Sequence, residues 1–181
     1  MTARKKAPES VRSNPLEWET LKALIHYDPE TGVITRLTTG CPPVDKRVAG
    51  RPAGYQMRRG HVIMNLFGKL YLAHRVAFVY MTGQMPAQDI DHINGDKADN
   101  RWANLRLATP SQNGANRGAQ KNSATGVKGV WPAKRGSSRW RAGIRIDGKS
   151  IHLGTFDTKE EASEAYAEAA VRLFGEFARA A

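Results

Sequence analysis

The sequence predicts an α+β protein built from two small domains, and three features indicate this. A chain of 181 residues can form two small cores or one ordinary domain, because domains contain roughly 100 to 150 residues at the mode. Two short strand-like segments, Asp89 to Ile93 and Leu105 to Ala108, are separated by a polar loop and followed by a helix that begins after Thr109. Three further strand-like segments then precede a long helix, which gives the segregated order typical of α+β folds.

The amino-terminal part is predicted to consist of short elements separated by turns. Apolar residues at helical spacing, alternating segments and Gly or Pro punctuation define these elements. In chain order they are a helix at 16–26, a strand at 33–37, a surface loop at 38–59, strands at 61–66 and 70–73 joined by a turn at 67–69, and a helix at 74–81.

The carboxy-terminal part is predicted to be a three-stranded sheet covered by one helix. The strands are expected at 127–132, 139–146 and 150–153, and the helix at 158–174. Thr158 and Glu161 form a capping box, and the helix has one face of mostly small residues that would lie on the sheet. The expected domains are a flexible basic tail at 1–15, a first domain at 16–117, a linker at 118–126 and a second domain at 127–181.

The charge of the chain favours a polyanionic partner. Lys and Arg number 28 against 17 Asp and Glu, which gives a net charge of +11 and a sequence pI of about 10.1. Charge alone is not specific, since ribosomal, membrane-surface and heparin-binding proteins share it. The basic tail could be an arm that contacts nucleic acid or an ordinary solvated end.

Cysteine usage and hydropathy exclude several classes of protein. The single Cys41 permits neither an internal disulfide nor a cysteine-rich zinc site. No apolar run of about 18 residues and no secretory signal are recognised. We therefore expect a cytoplasmic location and no membrane partner.

The densest group of polar side chains with chemical potential lies between Asp91 and Asn113. Asp91 and His92 fall at the end of a predicted strand, and Asn113 falls in the first turns of the following helix. A carboxylate and an amide oxygen are hard donors that suit Mg²⁺ or Mn²⁺ better than Zn²⁺. His92 could accept a proton from an attacking water, which would make phosphodiester hydrolysis the reaction class. The alternative is a turn whose side chains cap their own backbone.

Asp91-His92, Asn104 and Asn113, with the flanking NGDKADN and NLRLAT, resemble the HNH endonuclease motif, in the subgroup found in phage homing endonucleases. The segment HRVAF at 74–78 matches the lead-in of that subgroup, so the resemblance covers residues 27–117. It implies a ββα-metal (His-Me finger) fold that cuts or nicks duplex DNA with one ion per active site. By this resemblance His92 is the general base, Asp91 and Asn113 are the metal ligands, and Asn104 holds the loop and the active histidine. His74 is interpreted as structural, and His26, His61 and His152 carry no catalytic signal.

A strand with one cationic face is the main feature of the second domain. In residues 139–146 the alternation places Arg139, Arg141 and Arg145 on one face and Trp140, Ala142, Ile144 and Ile146 on the other. Projecting guanidinium groups on a sheet suit phosphates and guanine edges in a major groove. The alternative is an ordinary solvated strand face.

The pattern RWRAGIRI, the segment LGTFDTKEEA and the end of the helix resemble the Apetala-type, or plant ethylene-response-factor, DNA-binding domain over residues 123–178. The resemblance implies duplex DNA binding through the sheet, with Lys128, Arg139, Arg141 and Arg145 as contact residues and Trp131 and His152 as further candidates. Trp131 and Ala133 stand where the plant pattern has arginine, so the base preference of that family does not transfer.

Together these features predict a site-directed nuclease of phage or mobile-element origin, acting in a bacterial or phage-infected cell. A monomer with one active site would nick DNA, and a double-strand break would require a dimer or two events. The main alternative is a DNA-binding transcriptional regulator with an inactive HNH scaffold. An RNA-binding module is disfavoured, since no paired surface aromatic residues suited to base stacking stand out.

Overall fold

The computed structural model describes residues 18–38, 46–66, 68–119, 123 and 125–179. The predictions for the tail at 1–15, the start of the first helix, Cys41, Phe67 and much of the linker therefore lie outside the described residues. The chain divides after Leu107 into two compact units. Residues 108–119 belong to the carboxy-terminal unit, whereas the boundaries predicted from the sequence place 108–117 in the first domain and start the linker at 118.

The first unit is an assembly of short strands around two helices. Its elements, in chain order, are α1 (Trp18–Leu24), β1 (Ile25–Tyr27), β2 (Ile34–Arg36), β3 (Tyr55–Gln56), β4 (Val62–Leu66), β5 (Lys69–Leu72), α2 (Ala73–Thr82), β6 (Asp89–His92), a 3₁₀ turn (Trp102–Asn104) and β7 (Leu105–Ala108). β1 pairs antiparallel with β2. A second antiparallel sheet contains β3, β4 and β5. β6 pairs with β7. The predicted hairpin and the predicted helix after it are confirmed.

Two predictions for the first unit are wrong in detail. The first helix ends at Leu24 and not at His26, because Ile25 and Tyr27 are buried on alternate positions of β1 and pair with Arg36 and Ile34. The predicted loop at 38–59 contains β3, an edge strand paired with β4. Both residues of β3 are exposed, so the strand carries no apolar alternation that could reveal it.

The core of the first unit lies between α1, α2 and the small sheets. Its largest fully buried side chains are Leu21, Ile25, Tyr27, Met64, Val76 and Val79. α2 buries five side chains and ends at Gly83, which adopts a left-handed conformation with φ of 75° and donates its N–H to the carbonyl of Val79. This packing fixes the start of α2, which carries His74, beside β4 and β5.

The second unit contains α3 (Pro110–Asn116), β8 (Val130–Pro132), β9 (Trp140–Ile146), β10 (Lys149–Phe156), α4 (Lys159–Phe174) and a 3₁₀ turn (Gly175–Phe177). β9 is the central strand of an antiparallel sheet in the order β10-β9-β8. The predicted sheet and helix are confirmed, and Thr158 caps α4 through the expected capping box with Glu161. β10 runs further than predicted, because a bulge between His152 and Gly154 lets Thr155 and Phe156 continue the pairing with β9.

α4 packs its small-residue face on the sheet. Ala162, Tyr166, Ala169 and Ala170 are buried, and Ile144 of β9 belongs to the same cluster as most of them. β6, β7 and α3 follow one another in the order that the resemblance implies, while their arrangement as a ββα-metal core stays a prediction. Within the described part of the chain, no helix is both long and apolar enough to cross a membrane.

Candidate active site and candidate DNA-binding surface

Asp91 and His92 end β6, and both side chains are buried. Since neighbouring strand residues point to opposite sides, the two side chains have different partners. Asp91 accepts a hydrogen bond from Arg106 Nε at 3.0 Å, and Arg106 Nη2 lies 3.0 Å from the same Oδ2 atom. His92 Nε2 lies 3.4 Å from the amide oxygen of Asn100. The strand end therefore presents a carboxylate on one side and an imidazole on the other.

Three histidines meet at this strand end. The ring centroids of His74 and His92 are 5.0 Å apart in an edge-on arrangement, and His61 lies 5.6 Å from His74 and 6.2 Å from His92. Sequence reasoning did not join His61 to the site, because it lies in the loop before β4. For His74, at the start of α2, the segment HRVAF was the one signal.

The protonation of this cluster is set mainly by burial. Desolvation lowers the pKa of His92, against the opposing effects of the hydrogen bond to Asn100 and of the Asp91 carboxylate. Burial lowers the pKa of His74 to about 3, with smaller contributions from His92, His61 and Arg75. Burial also lowers the pKa of His61, with Lys97 the next cause. The cluster is therefore neutral at pH 7, which is the state in which His92 can accept a proton.

Asn104 ties together the polar loop that follows His92. Its amide nitrogen donates to the carbonyl of Asp99 at 2.8 Å, and its amide oxygen accepts from the N–H of Asn94 at 2.9 Å. Asp99 is fixed in turn by Arg101 and by the side chain of Asn94, and the Arg101 hydrogen bond lowers the pKa of Asp99 to about 2. These contacts agree with the loop-holding role that the resemblance implies for Asn104.

Asn100 is a further site residue that sequence reasoning missed. It is buried beside His92, and its backbone carbonyl accepts a hydrogen bond from the Tyr27 hydroxyl at 2.8 Å. Gly32 approaches the same backbone so closely that a Cβ there would lie 2.4 Å from Arg101 N. In an Asn-rich loop no local pattern separates Asn100 from its neighbours, because its burial depends on the distant turn at 29–32.

The donors proposed for a metal ion are distributed between the two units. Asp91 belongs to the first unit and Asn113 to α3 of the second, where Thr109 and Gln112 form a capping box. Among the described residues, no three His, Cys, Asp or Glu side chains are grouped to hold an ion by themselves. The donor chemistry fits a hard cation that keeps several water ligands, since Asp91 and Asn113 supply oxygen atoms only.

The predicted DNA-binding side chains lie on the sheet of the second unit, and most are exposed. Arg139, Arg141, Arg145, Trp131 and His152 all expose a large part of their surface. Trp131 lies over Gly143, where an added Cβ would come within 2.7 Å of the indole ring. Arg139 is engaged by Asp157 at 3.0 Å, and Arg145 donates to the carbonyl of Gly148 at 3.3 Å. Arg141 and Arg145 are therefore the principal cationic groups of β9.

Lys128 is placed differently from the other predicted contacts. It is half-buried, and its ammonium donates to the carbonyls of Gly114, Ala115 and Arg117 at 3.2, 2.5 and 2.6 Å. Burial, with smaller contributions from Arg179 and Arg117, lowers its pKa to about 8, so the group is still mostly charged at pH 7. A phosphate contact by Lys128 would have to replace these three hydrogen bonds.

A buried histidine at a strand end, with a buried carboxylate on the preceding residue and an Asn-rich loop after it, defines a candidate catalytic centre. A family model described as HNH endonuclease matches residues 71–115, a range that contains Asp91, His92, Asn104 and Asn113.

Two viral proteins are similar to the chain. An uncharacterized HNH endonuclease of Acanthamoeba polyphaga mimivirus is 32% identical over 125 residues, which are 68% of this chain and 64% of that protein. Protein 3.8 of Escherichia phage T7 is 34% identical over 91 residues, which are 50% of this chain and 73% of that protein. No solved structure matches the chain. Residues 71–115 of the chain thus match the HNH endonuclease family, and the chain spans less than two thirds of the length of its mimivirus relative.

Proposed function

We propose that the protein is a metal-dependent endonuclease that hydrolyses phosphodiester bonds of duplex DNA. The observation that carries the proposal is the placement of His92, which is buried, neutral at pH 7 and held between Asn100 and His74 inside the segment that matches the HNH endonuclease family. His92 acts as general base and accepts a proton from the attacking water. Asn104 keeps the loop after His92 in place.

Asp91 and Asn113 are the proposed ligands of one Mg²⁺ or Mn²⁺ ion. When bound, such an ion supplies positive charge that stabilises a phosphoryl oxygen and the leaving oxygen. Arg106 holds the Asp91 carboxylate through two guanidinium nitrogens. This ion pair restricts the orientation of the carboxylate that is proposed to bind the ion.

The second unit is proposed to bind duplex DNA through the exposed face of its sheet, as the Apetala-type resemblance implies. Arg141 and Arg145 are the main contacts, and Arg139, Trp131 and His152 border them. In this proposal the protein is a homing endonuclease of a phage or mobile element, and its two viral relatives are consistent with such an origin. It acts as a monomer that nicks, and a double-strand cut requires a second copy or a second event.

The direct test is relaxation of supercoiled plasmid DNA by the full chain with Mg²⁺, with Mn²⁺ and with EDTA. We expect His92→Ala to lower the nicking rate by at least about a hundredfold, because it removes the general base. DNA affinity, measured by fluorescence anisotropy, should change less than about twofold, since His92 is buried. The matched control is His26→Ala, an exposed histidine of β1. Equal loss of binding and cleavage in His92→Ala would contradict the assigned role.

A second function is favoured by one observation. The ion pair between Arg106 and Asp91 places a cation against the carboxylate proposed to bind the metal. If that pair persists on DNA, the chain would be a DNA-binding regulator with an inactive HNH scaffold. The plasmid assay separates the two functions, because a regulator would retain DNA binding and show no metal-dependent relaxation with either ion.

A further inference from the structure

The carboxy-terminal unit holds the short helix α3, which carries Asn113, at three places. The first is the carboxyl end of α3, where Lys128 donates to the carbonyls of Gly114, Ala115 and Arg117. The last carbonyls of a helix have no partners within the helix, and a cation is favoured beside them. Two of the three acceptors belong to the residues immediately after Asn113.

The second place is the apolar face of this segment. Ala108 and Ala115 are buried in the same cluster as Ile144, Tyr166, Ala169, Ala170, Phe174 and Phe177. The segment that carries Asn113, the last residue of the HNH-like motif, therefore packs in the core formed by the sheet and α4.

The third place is the amino-terminal turn of α3. The hydroxyl of Ser111 accepts a hydrogen bond of 2.8 Å from the N–H of Asp147. Asp147 and Gly148 form the tight turn between β9 and β10, both with positive φ, and Asp147 is the one non-glycine residue with positive φ in the described part of the chain. The hairpin turn is thus held against α3.

These contacts matter because α3 has only seven residues. A helix of that length is unstable alone, and its position depends on tertiary contacts. We propose that Lys128 is a positioning residue for the metal site: by fixing the end of α3 it holds Asn113 in the orientation in which its amide oxygen can bind the ion. The inference rests on the proposed role of Asn113 as a metal ligand. It makes the carboxy-terminal unit part of the nuclease machinery as well as a DNA-binding module.

The test compares Lys128→Met with Lys149→Met in the full chain. Methionine keeps most of the apolar stem and removes the ammonium, and Lys149 undergoes the same change at an exposed position of β10. Without DNA or metal, amide hydrogen exchange over residues 111–117 should become at least about tenfold faster in Lys128→Met, because hydrogen bonds from a charged donor are lost. Lys149→Met should match the parent protein.

The second readout is binding of Mn²⁺ to the free protein, followed by the electron paramagnetic resonance signal of unbound Mn²⁺. We expect the Kd for Mn²⁺ to rise about tenfold in Lys128→Met and to stay within about twofold in Lys149→Met. In the plasmid assay, the Mg²⁺ concentration for half-maximal nicking should rise in the same proportion, and excess Mg²⁺ should restore most of the rate. A purely structural role would lower stability without this rescue by the ion.

Each outcome decides a different part of the inference. Unchanged hydrogen exchange in Lys128→Met would show that Lys128 does not hold α3. Faster exchange with an unchanged Mn²⁺ Kd would show that α3 is held but does not position a ligand. A parent protein that neither binds Mn²⁺ nor nicks DNA would overturn the proposed function and with it the metal role, while the exchange result would still report on the contact. Should Lys128→Met fail to fold, Ser111→Ala removes the contact to Asp147 alone and should accelerate exchange at residues 111–113.

Discussion

His74 occupies a position in which a charged imidazole would be costly. It is 5% exposed, and His92, His61 and Arg75 are the groups whose charge opposes its protonation. Its pKa falls from an ordinary value of 6.5 to about 3. Between these two values an unfolded chain takes up a proton at this position that the folded protein does not.

His74 should therefore make stability depend on pH below neutrality. Its neutral form favours the folded state fully above pH 6.5, and this contribution is lost as the pH falls toward 3. Between pH 7 and pH 5 the loss should be about 2 kcal/mol in the free energy of unfolding. Urea unfolding at several pH values checks this, with His74→Gln compared with the parent protein. If the variant keeps the full pH dependence over this interval, His74 is not its source.

At this scale the sequence predicts a residue when its partners are near in the chain. Asp91, His92 and Asn104 lie within 14 positions, in an order that matches a known motif. Asn100 and His61 were missed because their contribution comes from partners on other elements. The hydroxyl of Tyr27 holds Asn100 from 73 positions away, and His61 reaches His92 across the first unit.

Among the elements of the first unit, the turn at 29–32 supports the loop that contacts His92. Gly32 has a φ of 71°, and an added Cβ would lie 2.4 Å from Arg101 N and 2.5 Å from the Asn100 carbonyl carbon. The N–H of Trp102 donates to the carbonyl of Pro29 at 2.9 Å. Both contacts hold the backbone that places Asn100 against His92.

Gly32→Ala should lower the stability of the protein by more than the strain of a left-handed alanine alone. Gly50 is a matched control, since its φ is 72° and nothing in the described residues lies within 4 Å of an added Cβ. We expect Gly50→Ala to cost about 1 kcal/mol from the left-handed conformation, and Gly32→Ala to cost about 3 kcal/mol or more, because the backbone at residues 100–101 must move. The measurements are urea unfolding and the plasmid nicking rate. Equal effects of the two substitutions on both would mean that the close approach at Gly32 is unimportant.

Elements with a regular spacing of buried residues, or with capping residues that mark their ends, were predicted well. α4 begins at its capping box and buries the predicted small-residue face, and β9 alternates exposed arginines with buried Ala142 and Ile144. Prediction failed where pairing rather than pattern determines the structure. β3 has two exposed residues, and β10 continues past Leu153 because a bulge restores its register with β9.

Across the whole molecule, the net charge of +11 attracts any polyanion, so the effect of net charge on DNA binding must be distinguished from the effect of a specific binding face. The second unit allows this distinction. β9 exposes Arg141 and Arg145, four positions apart on one side of the sheet, and α4 exposes Arg172. Removing arginines from either element lowers the net charge, but only the sheet is proposed to contact DNA.

The double substitution Arg141→Ala, Arg145→Ala should weaken DNA binding by about tenfold to a hundredfold near 0.1 M salt and reduce its dependence on salt. Each lost phosphate contact lowers the slope of log K against log salt concentration by about 0.9, so the slope should fall by about two. Arg172→Ala should change the slope by less than about 0.5, because a distant charge contributes only to the screened field of the protein. Fluorescence anisotropy with a duplex oligonucleotide at several salt concentrations measures both.

At DNA concentrations that saturate the double variant, nicking should proceed at the parent rate, because β9 holds no proposed catalytic group. A slope that falls equally in Arg172→Ala would show that the sheet face has no special role, and a saturated nicking rate that falls tenfold would place β9 within the nuclease machinery.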